Sequence, residues 1–196
     1  AHHGPAIAPP AGSGASAQAF DLPDAGKGDT AVVFDRDGLR VTAIRVDHGP
    51  VAPAVGYRFD YKGRSAVISG DTKKSAALIA GAKGTDLLVH EALQPKLVGV
   101  MTAALQAKGI SNTAQITRDI LNYHATPEQA AESARLAGVQ ELVLSHIVPV
   151  VPSPFFYPAF LGDAHKHFNG RITVGEDGMI FSLPANSRTI ERQSLL

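Results

Sequence analysis

The chain has no cysteine among its 196 residues. That excludes disulfides, a thiolate nucleophile and cysteine-type zinc sites together, so any metal must be held by histidine and carboxylate. Net charge is missing as well: eighteen basic residues cancel eighteen acidic ones. No global positive field therefore draws in a polyanion such as RNA, although a local basic patch is compatible with the count. Long apolar runs are absent too, each being broken by Gly, Pro or a charge before the ~18 residues that a membrane-spanning helix needs, and no membrane partner is expected. Ala1 stands where a start Met is expected and no charged-then-apolar leader follows it, so this end gives no localisation.

What remains is 44% hydrophobic and 18% charged, a composition that belongs to globular proteins rather than disordered or fibrous ones. Residues 1–29, rich in Ala, Gly, Pro and Ser, carry neither a helical nor a strand period and read as a loop-rich lead-in. From residue 30 the texture turns to short β runs. Residues 31–35 and 39–46 flank Asp37-Gly38, and residues 56–61 and 65–69 flank Lys62-Gly63, giving two hairpins. A helix over 74–82 leads into a strand over 86–90, a β-α-β step. Helical material broken near Gly109 fills 95–123, Thr126-Pro127-Glu128 opens a helix that ends at Gly138, and 141–145 is again a strand. Residues 149–160 read as a Pro- and aromatic-rich loop, and 172–183 as a last hairpin around Asp177-Gly178. Hairpins first and strand–helix alternation later predict a layered α/β sandwich, in one domain over 1–196.

Polar residues follow the apolar strands closely: His48, Asp71, the pair His90-Glu91, and His146. Strand ends are where an α/β scaffold gathers functional groups, and neutral imidazoles with a carboxylate suit zinc. A lone histidine at a strand end is more often a hydrogen-bonded surface or core residue than a ligand. Spacing alone leaves both readings open.

The motifs His48-Gly49-Pro50-Val51, Gly56-Tyr57-Arg58-Phe59, Ser69-Gly70-Asp71-Thr72, Val89-His90-Glu91-Ala92, His124-Ala125-Thr126 and Leu144-Ser145-His146-Ile147 occur in this order. Together they resemble the ribonuclease Z branch of the metallo-β-lactamase superfamily, over about residues 30–150. The resemblance implies an αββα sandwich and a binuclear zinc-dependent hydrolase of a phosphodiester or related ester, holding two Zn2+ per complete site. It implies His48 and His146 as ligands of different zinc ions, Asp71 as the bridging carboxylate, His124 as proton donor to the leaving group, and Glu91 as its orienting partner. Neighbouring strand residues face opposite ways, so His90 is assigned a structural role. A homodimer is the assembly that the family suggests.

Two departures shape the expectation. The family's His-x-His-x-Asp-His loop, which supplies most of the other ligands and the base that activates water, occurs nowhere in the chain, and His2-His3 lack its spacing and its Asp. The reading is of a domain whose N-terminal part is missing and which alone binds zinc weakly. Taken instead as a whole protein, it would be a non-catalytic fold remnant or an interaction module. Only 22 residues, a hairpin, separate His48 from Asp71, where tRNA-processing relatives insert a long RNA-gripping arm. A small-molecule ester is therefore favoured as substrate over nucleic acid, with tRNA 3′-processing as the alternative. Residues 94–122 lengthen the stretch between the Glu91 and His124 motifs, as either a lid or a peripheral helix pair.

Overall fold

The computed structural model describes residues 19–24 and 27–196; His2 and His3 lie outside them. Strands β1 (Thr30–Arg36), β2 (Leu39–His48), β3 (Val51–Tyr61) and β4 (Arg64–Ile68) form an antiparallel meander. Its turns at Asp37-Gly38 and Lys62-Gly63 have φ of 54° and 80°, and of 49° and 75°, the doubly left-handed geometry that matches the twist of paired strands. Both expected hairpins are present. A third joins them, because β2 runs on to His48 and β3 starts at Val51, leaving only Gly49-Pro50 between.

Helix α1 (Ala76–Gly81) carries the chain to β5 (Leu87–Leu93), which lies parallel to β4. Between β5 and β6 (Glu141–Val148) come α2 (Pro95–Ala107), α3 (Ser111–Asp119) and α4 (Pro127–Ala137). Helices α2 and α3 break at Gly109 as expected and pack on each other, with the buried Thr102 hydroxyl 2.7 Å from that of Thr117. Two short helices, α5 (Tyr157–Leu161) and α6 (Ala164–His167), lead to β7 (Arg171–Val174), parallel to β6.

The seven strands stand in sequence order in one sheet. Two antiparallel steps return β4 to the direction of β2, and β5 to β7 follow β4 in parallel. The C-terminal ends of β2, β4, β5 and β6 therefore share one edge. Ile44, Val67, Leu88, Leu142, Leu144 and Val174 face Leu78 of α1, the alanines of α4, and Phe160. Alternate residues point to the other face. There Arg192 of β9 (Glu191–Ser194) forms a two-pronged ion pair with Glu141, so the small sheet of β8 (Met179–Ser182) and β9 lies over that side.

Two local expectations are corrected. Residues 172–183 do not form a hairpin. β7 keeps its parallel pairing with β6, and the Gly175 N–H extends it by donating to the Leu144 carbonyl at 2.8 Å. The turn at Asp177-Gly178 then delivers β8 to β9 instead. Residues 149–160 are not all loop: a 3₁₀ turn, Pro154–Phe156, runs into α5. Phe160 anchors this stretch, being fully buried and accepting at its carbonyl from Gln94 Nε2 at 2.8 Å. Among the described residues no helix is long and apolar enough to cross a membrane.

Candidate metal centre

At the shared edge the chain brings all five expected site residues together. His48 closes β2, and its Nδ1 donates to the Tyr123 carbonyl at 3.0 Å. A carbonyl can only accept, so the ring's Nε2 lone pair is left free, the arrangement usual for a metal-binding imidazole. The neighbouring Gly49 is at φ +56°, and a Cβ there would stand 2.8 Å from the Tyr123 Cβ. The close approach of this turn to Tyr123 thus depends on glycine.

Asp71 follows β4 through Gly70, at φ +62°, where a Cβ would meet the Val55 carbonyl oxygen at 2.5 Å. Thr72, fully buried, ties this loop to the end of β2: the Asp47 N–H donates to its Oγ1 at 3.2 Å, and the Lys73 N–H donates to the Asp47 carbonyl at 2.8 Å. An Asp47–Lys73 ion pair of 3.0 Å reinforces the link. The Gly49 N–H, and then Lys73, hold the Asp47 carboxyl below its ordinary range.

Glu91 lies in β5 and faces away from His90, as their alternation requires. Its Oε1 accepts from the Ala125 N–H at 2.9 Å, the Thr72 N–H at 3.2 Å and His124 Nδ1 at 3.2 Å. Its Oε2 is buried with no partner. His124 comes two residues before Thr126, the N-cap of α4, and a capping box fixes that start: Thr126 Oγ1 accepts from the Gln129 N–H at 3.2 Å, and Gln129 Oε1 accepts from the Thr126 N–H at 3.0 Å. A Leu93 N–H to Ala125 carbonyl bond of 2.8 Å stitches this segment to β5.

His146 does not follow β6 but sits inside it. Glu91 pairs with Ser145 and Ala92 with Ile147, so His146 is the extra residue of a β-bulge, at φ +44°. Bulges re-aim a side chain out of the regular pleat. The His146 ring stacks on that of His124, with centroids 5.5 Å apart and planes 13° apart, and its Nε2 lies 3.8 Å from Asp71 Oδ2. His48 meets His124 from another side, edge-on at 5.0 Å. His124 is thus between the two imidazoles expected to bind metal.

His90 points into the helix-covered core, where its Nδ1 donates to the Glu91 carbonyl at 2.7 Å. Burial pushes its pKa down. The residues that the motif reading passed over act as supports. Ser69 and Thr72 were visible as the flanks of Asp71, whereas Tyr123 contributes a carbonyl that no side-chain signal marks. The donor chemistry of the site, imidazole and carboxylate with one free ring lone pair and one unpartnered buried oxygen, fits a zinc-type cation.

Residues 10–147 match the profile of the beta-lactamase superfamily domain. The ribonuclease Z of Mycobacterium avium (strain 104) is 35% identical over 177 residues, which are 90% of this chain and 55% of that protein. The ribonuclease Z of Mycolicibacterium paratuberculosis is 34% identical over the same length, with the same two coverages of 90% and 55%. The chain spans about half the length of the curated relatives it matches. Among solved structures, the metallo-beta-lactamase fold protein YhfI from Bacillus subtilis superposes with a TM-score of 0.55 at 16% identity, over 82% of this chain and 52% of that one, and so shares the fold.

Proposed function

We propose that this chain, which belongs to the beta-lactamase superfamily, carries part of a binuclear zinc site that hydrolyses a phosphodiester or related ester. The observation that supports this reading is the meeting of His48, Asp71, Glu91, His124 and His146 at one sheet edge. His48, His146 and Asp71, the last half-exposed and 3.8 Å from His146, are the residues that would hold the ions. A zinc pair bound there supplies polarisation of the ester oxygens and hydroxide at neutral pH. The protein's own part is proton management. Glu91 holds His124 through Nδ1, leaving Nε2 to donate a proton to the departing oxygen, and the Thr72 and Ala125 N–H groups keep Glu91 in place for that task.

A small ester is the favoured substrate, since a short hairpin stands where an RNA-gripping arm would insert and the chain carries no excess positive charge. Precursor tRNA is the second reading, favoured by the relatives named ribonuclease Z at 35% and 34% identity. Assays of the zinc-loaded enzyme with its full set of metal ligands, on a chromogenic phosphodiester, an aryl sulfate and a precursor tRNA, separate them. Turnover of the small diester without tRNA cleavage supports the first reading. Cleavage at the tRNA 3′ end supports the second. Binding of two zinc ions with no turnover of any of the three would overturn both.

A further inference from the structure

Among the described residues, one trio of side chains has donor atoms that all lie within 4.8 Å of one another, and it is not the trio assigned to metal above. It comprises a carboxylate oxygen of Glu91, a ring nitrogen of His124 and a ring nitrogen of His146. Three further observations bear on it. Glu91 Oε1 and His124 Nδ1 are 3.2 Å apart, already the ~3.3 Å that tetrahedral zinc with bonds of about 2.0–2.1 Å imposes between ligands. Glu91 Oε2 is a buried oxygen without a partner, a state that a cation held by both carboxylate oxygens would relieve. His146, on its bulge, is half-exposed and free to close the remaining gap.

We infer that this chain binds a single zinc-type cation between Glu91, His124 and His146. The site shares His146 with the binuclear assignment and otherwise competes with it. The Thr72 and Ala125 N–H groups on Glu91 become the outer partners that ligating carboxylates usually have. A cation there also takes the place of the proton that His124 shares with Glu91. On the reading that His124 is the proton donor, excess zinc silences the enzyme by capturing it. Zinc then has two modes at one edge, a productive pair and a blocking single ion.

The test uses the 196-residue chain and zinc alone. Calorimetry gives stoichiometry and affinity, and long-range proton–nitrogen spectra report each imidazole separately. The expected result is one ion per chain, with the ring nitrogens of His124 and His146 shifting while those of His48 stay still. Loss of a mere outer-shell partner costs about 10–100-fold in affinity, so Glu91→Gln and His124→Ala, as ligand losses, should each weaken binding at least about tenfold. His48→Ala should leave it unchanged. Far-UV circular dichroism checks that the variants fold, and the wild-type spectra decide the matter if one does not. Shifts at His48 and His146 with His124 silent would overturn the inference while supporting the ligand set proposed above. An ion held by His2 and His3, or no binding, would overturn it and leave the proposed activity to its own assay.

Discussion

The Glu91–His124 pair and the Asp71–His146 pair are neighbours, yet one is closed in and the other open. Side-chain exposure is 1% and 7% in the first pair, against 43% and 49% in the second. The buried pair is wrapped by fixed donors, two backbone N–H groups among them, whereas the open pair stands 3.8 Å apart with no hydrogen bond joining it. Proton transfer needs a donor whose orientation does not wander, and ligands need side chains able to close on an ion. The two halves are built for these different demands.

The largest effect expected from breaking the buried half is on catalysis. In the enzyme with its full set of metal ligands, His124→Ala should lower turnover ~10²–10⁴-fold, the usual worth of a positioned general acid, with two zinc ions still bound. The loss should shrink for a nitrophenolate leaving group, which departs without a proton. Asp71→Ala, in the open half of that same enzyme, should instead deplete the zinc pair, as read by metal content. If His124→Ala costs equally for good and poor leaving groups, the distinction between the halves fails.

Stability should follow the same division. Glu91→Ala orphans two buried backbone N–H groups at ~1–3 kcal/mol each, a loss of about 2–6 kcal/mol in urea unfolding. Asp71→Ala in the metal-free chain should stay within about 0.5 kcal/mol, as at other exposed positions.

A smaller effect comes from His90, behind the buried half. Its folded pKa is depressed by burial below the ordinary 6.5, so above 6.5 folded and unfolded chains alike hold it neutral and its contribution is intact. As pH falls below 6.5 the unfolded chain takes up a proton that the folded one refuses, and stability is lost down to the folded pKa. Melting curves from pH 7 to 5 should fall less steeply for His90→Gln. The smallest effect lies outside the site, as a control. Tyr157 is pushed up to about 12 by burial and then by its hydrogen bond to Glu176. Glu176→Gln should lower that titration, followed by phenolate absorbance, without touching either pair.

Legibility in the sequence tracked how local each signal was. The two tight turns, the Thr126-Pro127 helix start and the strand-end positions of His48 and Asp71 are written within a few neighbouring residues, and they were readable. Placement of β7 was not, because parallel pairing with β6 depends on residues some thirty positions away while Asp177-Gly178 looks like any hairpin turn. The bulge at His146 was equally hidden, since it exists only through the register that β5 imposes on β6. The Tyr123 carbonyl and the Thr72 bridge are backbone matters, and a list of reactive side chains passes over them.

The strand order also sets when the site comes into being. The β1–β4 meander joins chain neighbours through short turns, and such local pairings form early. The bond from His48 to Tyr123 spans 75 residues, and that from His124 to Glu91 spans 33. The centre is thus expected to assemble late in refolding, after the loop-closure entropy of its long connections has been met. A fluorophore placed beside His48 should report a slower phase than far-UV circular dichroism, and equal rates would show instead that fold and centre form together.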